Sequence, residues 1–200
     1  MPSSTRRARE RASTREQIVG AALRALEAEG AAALTMRRIA ADVEYSAPVV
    51  YQHFANKDAL VLELVTHGYT QLRSELEHVL DEPDADRRLL GLAAGYVRFA
   101  GEHPHLYQAM NGPEVEEDGR RRAAEPAITL LSEQLAAWAA AHAVTLPDHD
   151  EACEIVWGTL YGIASLGRLG TVGADRTGRL AEQALTAILR GWRTPGPGSA

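Results

Sequence analysis

The sequence predicts an all-α protein of about nine helices, and three observations predict it. Apolar residues recur at three- and four-residue intervals through nearly every segment, with no run of strand-like alternation. Residues that start and stop helices punctuate those segments: Thr14, Thr35, Ser46 and Asn56 before them, Gly30 after the first. A hydrophobic content of 46% over 200 residues is enough to build a core.

The first helix reads from Thr14, which forms a capping box with Gln17, to Gly30, and buries Ile18, Ala21, Ala22, Ala25 and Leu26. Residues 1–13 are arginine-rich and lack an apolar segment, so they read as a disordered tail and not as a secretory signal. Thr35 caps a short helix through Val43, with Ile39, Ala40 and Val43 facing inward. Ser46 caps another, ending at Phe54, with Pro48 in its first turn, where a missing N–H costs nothing. Asn56 caps a long helix over about residues 57–80.

After the loop DEPDAD, a helix over residues 86–103 stops before Pro104, because the residue before a proline is pushed out of the α region. A short turn of helix covers Leu106 to Met110, and NGPEVEEDG is a polar connection. Helices follow at about 120–143, 149–169 and 176–193, and residues 194–200 read as a second disordered tail. The expected division is a small head at residues 14–58 and a larger helical domain at 59–193.

The net charge of -6 hides an asymmetry. Residues 1–57 carry a balance of +3 and residues 58–200 one of -9, a basic head on an acidic body. A solvated arginine tail would give the same count. The lone cysteine, Cys153, excludes an intrachain disulfide and fits a reducing compartment. No apolar run approaches membrane-spanning length, so a soluble cytoplasmic protein without membrane contacts is expected. His103-x-His105 and His149-x3-Cys153 each fall short of a complete metal ligand set. No nucleophile elbow, phosphate loop or catalytic acid pair is present, so neither a cofactor nor enzymatic activity is expected.

Two short helices joined by a tight turn, Thr35–Val43 and Ser46–Phe54, have the dimensions of a helix-turn-helix, whose second helix enters the major groove of DNA. Val50 and Phe54, with Ile39 and Leu23, would hold that helix in place. Ala47, Val49, Tyr51, Gln52 and His53 remain on its other face. A plain aromatic cluster would account for Phe54 but not for Tyr51 and His53, which lie on different sides. Lys57 is the sole lysine, and it stands at a helix N-terminus where the dipole opposes its charge. A phosphate docked there would explain it.

These residues resemble the TetR-type bacterial transcriptional regulators. The pattern comprises Thr14, Ile18, Ala21, Ala22, Gly30, Thr35, Met36, Ile39, Ala40, Ser46, Val50, Tyr51, His53, Phe54, Lys57 and Leu60. The turn usually carries a glycine where this chain has Glu44, which at positive φ costs roughly 1 kcal/mol. The resemblance implies that Thr35, Tyr51, His53 and Lys57 hold phosphates while Arg37, Ala47 and Val49 face bases. Arginine can take a guanine edge with two hydrogen bonds, and small apolar groups can touch thymine methyls.

The segments YVRFAGEHPHLYQAMNG and WGTLYGIASLGRLG resemble one C-terminal subfamily of the same regulators, with Tyr161 where a Trp-x3-His-Gly motif has histidine. Tyr96, Phe99, His103, Tyr107, Met110, Trp138, Trp157 and Tyr161 could line a cavity for a small, mainly apolar effector, or could be ordinary core. The last two helices carry Ile155, Leu160, Leu180, Leu185, Ile188 and Leu189, which suits a homodimer interface. The resulting expectation is a homodimeric repressor that binds a double-stranded palindromic operator and is released by its effector. The alternative is a small-molecule binding protein or enzyme with a degenerate DNA-binding head.

Overall fold

The computed structural model describes residues 2–194 apart from 114 and 147, and among them every regular element is helical. In chain order these are α1 (Pro2–Glu29), α2 (Met36–Asp42), α3 (Ala47–His53), α4 (Lys57–Glu77), α5 (Ala85–Glu102), α6 (Pro104–Asn111), α7 (Glu117–Ala141), α8 (His149–Arg168) and α9 (Ala174–Arg193). Turns of 3-10 helix sit at Ala31–Ala33 and His78–Asp81.

The largest departure from expectation is at the start. Helix α1 begins at Pro2, so residues 2–13 form helix where a disordered tail was expected. Thr14 is no cap: its Oγ1 donates to the Glu10 carbonyl at 3.0 Å, one turn back. Arginine, alanine and glutamate upstream favour helix, and a proline at the first position suits a helix start, so nothing there stops the chain. The expected C-terminal tail lies, from residue 195, outside the described residues.

The chain forms two compact units, Met1–Gly68 with His105–Ala123 and Tyr69–Pro104 with Ala124–Ala200. This differs from a division at residue 58, for a packing reason inside the first unit. A Cβ on Gly68 would come within 2.7 Å of Met110 Sδ, so glycine there lets α6 lie directly on α4. His105 Nδ1 lies 2.8 Å from the Glu27 carbonyl, which ties α6 to the end of α1 as well. Helix α7 passes from one unit to the other beside Pro126, which has no N–H to give the Arg122 carbonyl.

In the second unit α5 packs on α8 and α9, and α8 on α9. Leu89, Leu92, Phe99, Trp138, Leu160, Leu185 and Leu189 are buried there. Asp84 and Asp148 cap α5 and α8 by accepting from Arg87 N and Glu151 N, each at 2.9 Å. Asp86 joins three helices: it accepts from Trp138 Nε1 at 2.8 Å and pairs with Arg193.

Candidate functional site

Two short helices can hold a fixed angle only if the turn between them is rigid, and this one is. Thr35 caps α2 by accepting from Arg38 N at 3.2 Å. At the other end Glu44 stands at φ +58°, as expected of the position that usually carries glycine. Glu44 N then donates to the Ala41 carbonyl at 3.1 Å and Tyr45 N to the Ala40 carbonyl at 2.9 Å. That pair of bonds is the left-handed C-terminal cap of a helix, which satisfies carbonyls otherwise without partners. Arg38 clamps α2 onto α1 with two hydrogen bonds to Glu29, of 2.8 and 2.5 Å.

Helix α3 is seven residues long, too short to persist alone, so its position depends on contacts. Val50 and Phe54 are buried, as is Ile39 of α2, against which α3 packs; Leu23, the expected partner, is only half-buried. Two arginines of α1 supply the rest, and the sequence reading missed both. Arg11 donates to the Gln52 carbonyl at 3.2 Å and Arg15 to the His53 carbonyl at 3.3 Å, capping the end of α3. Arg15 also pairs with Glu63 of α4 at 2.6 Å and lies 4.4 Å from the centre of the Phe54 ring.

The expected DNA-facing residues fall on three consecutive helix starts and faces. Thr35 and Arg37 are exposed at the start of α2, and Arg37 makes no ion pair among the described residues. On α3, Tyr51 is 50% exposed, while Ala47, Val49 and His53 are half-buried. Burial, then Arg11 and Arg15, hold the His53 imidazole below its ordinary pKa, so at neutral pH it offers an N–H but no charge. Lys57 has a partner that was not expected: its Nζ donates to the Ala31 carbonyl at 3.0 Å. That bond ties the start of α4 to the turn after α1, and it explains a lysine there without a phosphate. Two of its three N–H groups remain.

The second unit contains an apolar cavity lined by Tyr69, Leu72 and Leu76 of α4, Leu92 and Tyr96 of α5, Trp157 of α8 and their neighbours, none of them charged. It leaves about 60 Å³ for the centre of a water-sized sphere, room for a small molecule's fragment rather than a large ligand. Of the eight residues expected to line such a space, only Tyr96 and Trp157 do. Phe99 and Trp138 are fully buried in packed core, Trp138 held by its bond to Asp86. Tyr107 and Met110 are buried in the first unit, where α6 rests on α4. His103 Nε2 lies 3.0 Å from Gln71 Nε2 and 3.6 Å from Glu75, and Tyr161 is 41% exposed on α8.

Helix α8 presents an open apolar face. Ile155, Tyr161, Leu166 and Leu169 are exposed, and Gly158 and Gly162 between them have nothing near an added Cβ. Leu160, Leu185 and Leu189, expected at an interface, are buried within the monomer; Leu180 and Ile188 are half-buried. Helical periodicity marked them as apolar but could not say which side of the helix its own chain would cover. Among the described residues no helix is long and apolar enough to cross a membrane.

Comparison with known proteins agrees with this geometry. Over residues 18–64 the chain matches the family of bacterial regulatory proteins, tetR family, and over residues 89–189 it matches a tetracyclin repressor-like C-terminal domain. It is 30% identical over 96 residues, 48% of this chain and 50% of the other, to an uncharacterized HTH-type transcriptional regulator, YobS, of Bacillus subtilis (strain 168). The chain thus spans about half the length of the curated relatives it matches. In fold it is similar to a protein of unknown function from Rhodococcus sp. RHA1, with a TM-score of 0.77, 24% identity and coverage of 90% of this chain and 95% of that one. It is also similar to the regulator FadR of Bacillus subtilis, solved in complex with stearoyl-CoA, with a TM-score of 0.73, 15% identity and coverage of 88% and 98%. The helix-turn-helix and the matched body together leave one assignment: the chain belongs to the TetR family of bacterial regulatory proteins.

Proposed function

We propose that this protein is a homodimeric transcriptional repressor that binds a palindromic operator and leaves it when a small apolar effector enters the second unit. One observation carries the reading. The turn at Glu44 and the caps from Arg11 and Arg15 fix α3 with Tyr51 exposed and Ala47 and Val49 partly so, beside a free Arg37. Arg37, Ala47 and Val49 face bases in this reading, while Thr35, Tyr51, His53 and Lys57 reach phosphates, Lys57 with its two remaining N–H groups. Residues 14–58 then serve DNA, and residues 59–193 serve effector and partner.

The exposed face of α8 supports a second copy as its cover, since a two-fold axis sets the same apolar patch against itself. Helix α4 supports coupling. Its first residue, Lys57, belongs to the DNA-facing unit, and Tyr69, Leu72 and Leu76 of the same helix line the cavity. The lining carries no charge to meet a phosphate, which favours an uncharged effector over the acyl-CoA found with FadR.

Gel-shift titration of the promoter region beside the protein's own gene tests the reading. Wild type should retard it at nanomolar to sub-micromolar concentration, and Arg37→Ala should weaken binding by roughly 1–3 kcal/mol if it reads guanine. No retardation at low salt would end the repressor reading in favour of a ligand-binding protein with a degenerate head.

A further inference from the structure

His105 turns its Nδ1 to the Glu27 carbonyl, but His103 meets neighbours of a different kind. Glu75 of α4 and Glu102 and His103 at the end of α5 bring their ligand atoms within 4.8 Å of one another, all inside the second unit. Neighbouring residues of an unbroken helix point about 100° apart, so Glu102 and His103 would ordinarily diverge. They converge because the helix breaks. His103 stands before Pro104 at φ −123° and ψ 57°, with its N–H on the Phe99 carbonyl at 2.9 Å. The Phe99 ring, 4.9 Å away between centres, backs the imidazole. On α4, Gln71 and Glu75 stand one turn apart on the same face.

The imidazole presents a lone pair to this group. Gln71 Nε2 donates to Glu75 at 2.9 Å and lies 3.0 Å from His103 Nε2. An amide nitrogen accepts no hydrogen bond, so its second N–H meets an unprotonated ring nitrogen, the form in which histidine binds a metal. His103 Nε2 and Glu75 lie 3.6 Å apart. Two ligands each about 2.0–2.2 Å from a tetrahedral zinc are separated by roughly 3.3–3.6 Å, so this pair already has the spacing of one edge of such a site. Glu75 and His103 are half-buried, while Glu102 is exposed and can rotate in as the third ligand. Among the described residues neither glutamate pairs with an arginine or lysine, so one divalent cation would balance both.

We propose that Glu75, Glu102 and His103 bind a divalent transition ion of the zinc class, with solvent in the fourth position and Gln71 holding the Glu75 carboxylate in orientation. An imidazole between two carboxylates favours such an ion over Mg2+ or Ca2+, which take oxygen ligands, and no thiolate is there to select copper(I). The ion ties α4 to the end of α5. Leu72 and Leu76 of α4 and Leu92 and Tyr96 of α5 line the apolar cavity, so the tie braces two of its walls.

The test titrates ZnCl2 alone into metal-free, tag-free full-length protein by calorimetry, with thermal unfolding measured beside it. Wild type should bind one zinc per protomer with a Kd of about 1 µM or tighter, and at a hundredfold excess of zinc over Kd its Tm should rise by roughly 5–10 °C. Glu75→Gln, Glu102→Gln and His103→Gln should each weaken binding at least about tenfold and remove most of that rise, with Tm unchanged within about 3 °C when zinc is absent. His149→Gln with Cys153→Ser, which removes the other histidine pairing in the same unit, should bind zinc as wild type does within about twofold. Mg2+ at about 1 mM should leave the zinc affinity unchanged. No zinc binding by the wild type, binding that the three glutamine variants leave intact, loss of binding in the His149–Cys153 variant, or displacement of zinc by Mg2+ overturns the proposal.

Discussion

Arg15 is where the head's architecture can be challenged with one substitution. Arg15→Met keeps the aliphatic stem against Phe54 and removes three interactions together. The pair with Glu63 is short, 2.6 Å, but its side chains are 40% and 37% exposed, so solvent screening leaves it only ~0.2–1 kcal/mol. The guanidinium over the Phe54 ring, at 4.4 Å, adds ~0.5–1 kcal/mol at such a site. The bond to the His53 carbonyl adds about 1 kcal/mol, and its loss leaves a carbonyl at the end of α3 for water to satisfy. Together these give a loss of about 2 kcal/mol, which for a chain of this size lowers Tm by roughly 4–8 °C. Urea unfolding at fixed protomer concentration measures it, and a double-mutant cycle with Glu63→Gln isolates the ion pair, with an expected coupling of ~0.2–1 kcal/mol. DNA affinity should fall as well, because α3 loses its anchor. A change in stability below about 0.5 kcal/mol would refute the reasoning, since it would show that α3 is held by its apolar contacts alone.

Glu44→Gly should leave stability unchanged or raise it by up to ~1 kcal/mol, the relief of positive φ being partly offset by the freedom of glycine in the unfolded chain; calorimetry showing a clear loss would mean the Glu44 side chain has a role of its own. Trp157→Ala should weaken effector-dependent release of DNA while leaving DNA affinity without effector within about twofold; equal loss of both in anisotropy titrations would make Trp157 plain core. Acid should destabilise the protein in two windows. His53 is held below its ordinary pKa by burial and by Arg11 and Arg15, so its stabilising contribution is present above pH ~6.5 and is lost as pH falls through the folded value. Asp86, held down chiefly by its hydrogen bond from Arg193, contributes above pH ~4 and loses that contribution only in stronger acid. His53→Gln should flatten the first window of a stability–pH curve and Asp86→Asn the second, and an unaltered curve in either variant would count against that residue's role. A micromolar sample that sediments as a monomer would remove the dimer from the account, and with it the two-fold symmetry of the operator.

What the sequence revealed depended on how local the physics was. Thr35, Pro48 and Asn56 act within their own turns, so α2, α3 and the start of α4 were legible, although Ser46, expected to cap α3, stands at its N-cap position without a side-chain capping bond; Glu44 could be recognised as a non-glycine at positive φ. The start of α1 was misread because Thr14 carries the local signature of a cap, whereas the favourable residues upstream simply continue the helix past it. Arg11, Arg15 and Lys57 act on carbonyls 41, 38 and 26 residues away, and no periodicity reports a pairing of that kind. An unusual residue, the sole lysine, was the visible signal, but its partner proved to be the head's own backbone. In the body, aromatic residues on amphipathic helices could mark either a core or a cavity wall. Only the packing of α5, α8 and α9 separated Tyr96 and Trp157 from Phe99 and Trp138.

The central claim is that α3 and the start of α2 read a DNA sequence, and affinity selection from a random-sequence duplex library measures it most directly. The account predicts enrichment of a two-fold symmetric motif, bound at physiological salt at least ~10³-fold more tightly than a shuffled duplex of the same composition. A library that yields no motif, or a selected duplex bound no better than its shuffled control, would contradict it.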